Sequence, residues 1–129
     1  MSTQGKHILI AEDSPGLAKV IAFNLEHAGF DVTVATDGIN ALEKAKQRRF
    51  DLVLTDQQMP RMEGTELSAE LRELESYADV PIILLTAKAY ELDAEHLKST
   101  LDIVNVIPKP FGPKEIIETV EDALSPAVS

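Results

Sequence analysis

The chain has 129 residues, enough for one domain with its own core, and it has no cysteine, which excludes a disulfide framework and a thiolate zinc site. Asp and Glu number 22 against 12 Lys and Arg, and the net charge of −10 excludes the concentrated positive surface that binding a nucleic-acid backbone requires. No apolar run approaches the ~20 residues that span a bilayer, and the start MSTQGKHILIAED lacks the basic-then-apolar order of a secretion signal. The expectation is a soluble, cytoplasmic protein with no membrane and no direct nucleic-acid contact.

A short tail (residues 1–5) precedes HILIA (7–11), an apolar, Ile-rich run that reads as a strand. PGLAKVIAFNLEHAG then has helical spacing, with Leu17, Val20, Ile21 and Leu25 near one face, Ser14 and Pro15 as its entry and Gly29 as its stop. DVTVA (31–35) is a second strand, and TDG after it looks like the entry to the helix NALEKAKQRR, whose basic residues are its solvated side. DLVLT (51–55) is a third strand. GTELSAELRELES follows as a helix with Leu67, Leu71 and Leu74 as its stripe. VPIILLT (80–86) is a fourth strand, ELDAEHLKST a weaker helix, IVNVI (103–107) a fifth strand, and GPKEIIETVEDAL a last helix with Ile116, Ile117 and Val120 facing the core. A tail (125–129) closes the chain, so the domain core is expected at about 6–124.

Strand and helix alternate five times, which predicts an α/β fold: a five-stranded parallel sheet with helices on both faces, a flavodoxin-like three-layer (βα)5 sandwich of strand order 2-1-3-4-5. In such sheets chemistry sits beyond the carboxyl ends of the strands, near the switch point between the first and third. At those ends lie Glu12 and Asp13, Asp56, Thr86 with Ala87, and Lys109. Three neighbouring carboxylates repel one another, and a hard divalent cation such as Mg²⁺ relieves this. Lys109 adds a positive charge suited to phosphate, and Thr86 a hydroxyl donor. These are the parts for phosphoryl transfer, with Asp56, central in the strand order, as the natural carboxylate acceptor.

In order and spacing, Glu12-Asp13, the stretch DQQMPRMEG from Asp56 to Gly64, Thr86-Ala87 and Lys109-Pro110-Phe111 resemble a receiver domain of two-component response regulators, the chemotaxis type included, from about Lys6 to Leu124. The resemblance implies a phosphorelay switch rather than an enzyme with an external substrate: it catalyses only its own phosphoryl transfer and dephosphorylation. Asp56 would accept the phosphoryl group from a histidine kinase or a histidine phosphotransfer protein. Glu12, Asp13, Asp56 and the backbone carbonyl of Gln58 would hold Mg²⁺, with Mn²⁺ as a substitute, while Thr86 and Lys109 would bind the phosphoryl oxygens. The Lys109–Pro110 bond would be cis, and movement of Thr86 would bias the face formed by the fourth helix, fifth strand and fifth helix, where an effector or a second copy of the chain docks.

The chain departs from this pattern at Val106, where many receivers carry Tyr or Phe, and at Asp102, where the family often has Gly. Gln58 and Lys88 occupy the positions that in this family tune phosphoryl lifetime. Humbler readings stand beside the sharp ones. Asp13 could cap the first helix, Thr86 could cap the fourth, and Lys109 could be a surface lysine. Met59 and Met62 read as packing residues, and His7, His27 and His96 as ordinary surface or boundary residues rather than phosphorelay histidines. The alternative function is a receiver-like interaction module that works without phosphate. A haloacid-dehalogenase-type phosphatase would need an Asp-x-Asp after the first strand, and a flavin carrier a hydroxyl-rich phosphate loop there; AEDSPG is neither.

Overall fold

The computed structural model describes residues 5–125. The remainder of both expected tails, residues 1–4 and 126–129, lies outside the described residues. Five strands, β1 (His7–Ala11), β2 (Asp31–Ala35), β3 (Leu52–Asp56), β4 (Ile82–Thr86) and β5 (Ile103–Pro108), form one parallel sheet of order β2-β1-β3-β4-β5. Between and after them run α1 (Pro15–His27), α2 (Gly38–Gln47), α3 (Gly64–Arg72), α4 (Ala94–Leu101) and α5 (Pro113–Leu124). The expected fold and strand order are those found.

The period-2 alternation of side chains divides the core in two. Leu9, Val53, Ile82 and Leu84 face Ala41 and Ala45 of α2, Leu67 and Leu71 of α3, and Leu97 of α4. Ile8, Ile10, Leu54, Ile83 and Leu85 face Ile21 and Leu25 of α1 and Ile116 and Val120 of α5. Every residue of β3 and β4 is buried, as expected for central parallel strands covered on both faces. In α1 the buried stripe is Ala18, Ile21 and Leu25, and Val20 is 53% exposed. One residue before Ile21, Val20 is turned by roughly 100° away from the stripe, so a small Ala displaces it from the core. The third helix ends at Arg72, and the remainder of its predicted span becomes a 3₁₀ turn at Glu75–Tyr77.

The helix ends correct several readings. Ser14 holds the N-cap position of α1 but its side chain makes no cap bond. Asp37 caps α2, accepting from Asn40 N–H at 2.8 Å. Asp93, not Thr86, caps α4, accepting from His96 N–H at 3.1 Å. Gly29 stops α1 at φ 103°, and Asp102 stops α4 in the left-handed region at φ 54°, the position where glycine would be unstrained. Arg72 ties these corners together. Its guanidinium donates to the carbonyls of Leu101 (2.8 Å), Tyr77 (2.6 Å), Val80 (2.7 Å) and Asp102 (3.1 Å).

Tyr77 does the same beneath the sheet. Its buried hydroxyl lies 3.0 Å from Ala45 O and 2.8 Å from Arg48 O and accepts from Phe50 N–H at 3.1 Å. Tyr77→Phe keeps the ring but leaves these buried groups unpaired. Urea unfolding is expected to show a loss of about 1–3 kcal/mol, with Mg²⁺ binding by the folded protein unchanged; an unaltered midpoint would show that the hydroxyl contributes nothing.

Candidate metal and phosphoryl site

Strand register brings the predicted residues together. Ala11 pairs with Thr55, so Glu12 emerges beside Asp56, while Asp56 pairs with Leu85 and Thr86 with Pro108, next to Lys109. One carboxylate oxygen from each of Glu12, Asp13 and Asp56 lies within 4.8 Å of the others. Glu12 and Asp56 are 2% and 3% exposed, whereas Asp13 reaches solvent. Lys109 Nζ sits 3.3 Å from Glu12 Oε1 and 3.1 Å from Asp56 Oδ1, and the Lys109–Pro110 peptide is cis, as expected.

The cluster has more charge than it balances. With all groups ionised, three carboxylates face one ammonium, which leaves two negative charges at a buried edge. Burial pushes the Glu12 carboxyl above its ordinary value and the negative Asp56 adds to this; the Ser14 N–H, 3.1 Å from Glu12 Oε2, and Lys109 oppose it. Asp56 Oδ1 is buried and accepts no hydrogen bond, although Lys109 Nζ lies 3.1 Å away. An orphaned anionic oxygen is costly in a protein interior and is a ready ligand for a hard cation. The donor set is all oxygen and its excess charge matches a divalent ion, so the residues present fit Mg²⁺.

The segment after Asp56 is held from several sides. Gln57 Oε1 accepts from Thr65 N–H at 2.8 Å, and its Nε2 donates to Glu63 Oε2 at 3.0 Å and to Thr65 Oγ1 at 3.2 Å. Glu66 Oε1 accepts from Glu63 N–H at 2.9 Å at the start of α3. A Cβ on Gly64 would stand 2.6 Å from Asp56 O, so only glycine lets α3 start against the end of β3. Arg61, at φ 70°, ion-pairs with Asp37, whose carboxyl is held below the usual range chiefly by the Asn40 N–H. Gln58 reaches across to β4: its Nε2 donates to Thr86 Oγ1 at 2.8 Å, and its Oε1 lies 3.2 Å from that hydroxyl and 3.3 Å from Ala87 N.

The structure thus unites Glu12, Asp13, Asp56, Thr86 and Lys109 at one sheet edge, with the Gln58 side chain joined to Thr86. Sequence reasoning missed the Gln57 clamp, the Arg61–Asp37 pair and the Gln58–Thr86 contact. Each depends on loop geometry that no residue spacing encodes. The histidines stay apart. His7 Nδ1 is 2.7 Å from Arg48, His27 stacks on Phe23 with ring centres 6.2 Å apart, and His96 lies in the first turn of α4. Val106 is half-buried on β5.

Residues 8–121 match the family described as response regulator receiver domain. The alkaline phosphatase synthesis transcriptional regulatory protein PhoP of Bacillus subtilis is 35% identical over 119 residues, covering 92% of this chain and 48% of that protein. The DNA-binding response regulator MtrA of Mycolicibacterium smegmatis is 38% identical over 125 residues, 96% of this chain and 53% of MtrA. The chain therefore spans about half the length of these curated relatives. The crystal structure of the receiver domain of sensor histidine kinase PA1611 from Pseudomonas aeruginosa, with magnesium coordinated in its active-site cleft, superposes with a TM-score of 0.83 at 33% identity, covering 93% of this chain and 98% of that one. This chain belongs to the response regulator receiver domain family, the phosphoacceptor switches of two-component signalling.

Proposed function

We propose that Asp56 is the phosphoacceptor of this receiver. The observation that carries the reading is the buried Asp56 Oδ1, which accepts no hydrogen bond yet lies 3.1 Å from a lysine and beside two further carboxylates. A phosphohistidine on a histidine kinase or a histidine phosphotransfer protein is the donor. An Asp56 carboxylate oxygen forms the new O–P bond as the P–N bond breaks, and the imidazole leaves with that electron pair. Lys109 neutralises charge on the transferring group, and the Thr86 hydroxyl donates to one of its oxygens. Glu12, Asp13, Asp56 and the Gln58 carbonyl would hold the metal, Mg²⁺ with Mn²⁺ as a substitute. The ion would supply charge neutralisation to the transfer. The magnesium in the Pseudomonas receiver supports this choice.

The chain acts only on itself, as one receiver domain with its core at about 6–124, and works in the cytoplasm. Among the described residues no helix is long and apolar enough to cross a membrane. Its output is read by a partner protein, an effector domain or a second copy at the face of α4, β5 and α5. That face has Val106 where an aromatic ring would otherwise turn, so Thr86 and the loop after it carry the signal. That loop hangs on the same hydroxyl, through Lys88 N–H at 3.0 Å from Thr86 Oγ1.

Incubation with Mg²⁺ and a small acyl phosphate is expected to add one phosphoryl group by intact mass, none in Asp56→Asn and none in EDTA. An adduct that persists on Asp56→Asn would overturn the assignment. Because burial raises the Glu12 pKa, protons compete for this ligand at a pH above the ordinary 4.5. Calorimetric Mg²⁺ affinity is expected to begin falling on acidification before pH 4.5 is reached, with weaker binding and a smaller pH dependence in Glu12→Gln. Affinity that stays level down to pH 4.5 would remove Glu12 from the metal site.

A further inference from the structure

Two donors stand side by side at the end of β4: the Thr86 hydroxyl and the Ala87 backbone N–H. Both converge on one acceptor, Gln58 Oε1, at 3.2 Å and 3.3 Å. The same carboxamide donates back through Nε2 to Thr86 Oγ1 at 2.8 Å, so the hydroxyl is engaged from both sides. Two donors meeting at a single oxygen is an arrangement that suits an anionic phosphoryl oxygen, and such an oxygen is a stronger acceptor than a neutral amide. Gln58 lies two residues beyond Asp56 on a segment fixed by the Gln57 clamp and the Arg61–Asp37 pair, so its reach to β4 belongs to the built loop.

We infer that the Gln58 carboxamide is an internal occupant of the phosphoryl-oxygen donors, holding Thr86 and Ala87 in the resting arrangement until a phosphoryl group on Asp56 displaces it. The inference rests on Asp56 being the acceptor. It concerns the equilibrium between resting and switched states, and is separate from any effect of this side chain on hydrolysis of the acyl phosphate. Displacement frees the carboxamide and redirects the Thr86 hydroxyl. Because Lys88 N–H is bonded to that hydroxyl at 3.0 Å, the change passes into the 3₁₀ turn Ala89–Glu91 that leads to α4. Gln58 is thus a positioning residue that sets how strongly the phosphoryl group must bind to switch the domain.

The test uses beryllofluoride with Mg²⁺ on the whole chain, since this phosphoryl analogue is not hydrolysed and affinity is read at equilibrium. Gln58→Ala removes the side chain, and Gln58→Met keeps its length without its hydrogen bonds. Both variants are expected to bind beryllofluoride about tenfold more tightly than wild type, the scale of one or two net hydrogen bonds. The gain is expected to shrink when Thr86→Ala is also present. In the ligand-free protein, Gln58→Met is expected to shift the Ala87 and Lys88 amide resonances while that of Phe50, in the distant Tyr77 cluster, stays in place. Wild type that binds beryllofluoride while both variants bind equally or more weakly overturns this inference alone. Failure of wild type to bind beryllofluoride at all overturns the acceptor reading and this inference with it.

Discussion

The structure is organised around one unfavourable act, the burial of carboxylate charge at the carboxyl edge of a parallel sheet. Glu12 and Asp56 are almost wholly enclosed, Asp13 stands beside them, and Lys109, the one ammonium within reach among the described residues, cannot balance all three. Folding would not favour this edge by itself, because apolar residues there would cost nothing. The arrangement makes sense when a divalent cation and a phosphoryl group enter the charge balance. The sheet makes it feasible, since strands that run parallel and end in register deliver their tips to one place, and fully buried β3 and β4 fix those tips rigidly.

Around this edge the loops divide into a rigid side and a movable side. The segment after β3 is rigid. Gly64 lets α3 start against the Asp56 carbonyl, Gly38 lets α2 start against Met62, Gln57 is bonded at both ends of its amide, and Arg61 is paired with Asp37. The segment after β4 is held more lightly. Its links to the rest of the site run from Gln58 to the Thr86 hydroxyl and to Ala87 N–H, and from that hydroxyl to Lys88 N–H, hydrogen bonds that a stronger acceptor can replace. A switch needs such asymmetry: a fixed acceptor and a responder whose contacts are few and exchangeable.

Much of this was legible in the sequence. The alternation of Ile- and Val-rich runs with 3.6-period segments gave the layers and the strand order, because parallel strands covered on both faces leave continuous apolar runs. The site residues were legible because the fold sends the ends of β1, β3, β4 and β5 to one edge of the sheet, so the polar residues at those four ends meet there, while the end of β2 leads into the cap of α2. The departure noted at Asp102, where the family often has Gly, falls on the left-handed end of α4. What escaped reading has a common cause. Val20 has the right type but the wrong azimuth on α1, where small Ala18 takes the buried position. Thr86 was offered as a cap for α4, yet the 3₁₀ turn Ala89–Glu91 lengthens that connection and hands the cap to Asp93. The Gln58–Thr86 bond joins residues 28 positions apart through two loops, and side-chain reach across loops leaves no periodic trace.

The central claim is that the enclosed carboxylate of Asp56, whose Oδ1 accepts no hydrogen bond, receives the phosphoryl group. It is tested most directly by locating the acyl phosphate. Borohydride reduces an aspartyl phosphate to homoserine and releases phosphate, marking the acceptor permanently. Trypsin cutting after Arg49 and Arg61 yields the peptide FDLVLTDQQMPR, which contains both Asp51 and Asp56, while Glu12 and Asp13 fall in another peptide. Fragment sequencing by mass spectrometry is expected to find homoserine at position 56 and only there. Reduced residues at Asp51, Asp13 or Glu12, with Asp56 intact, would contradict the account.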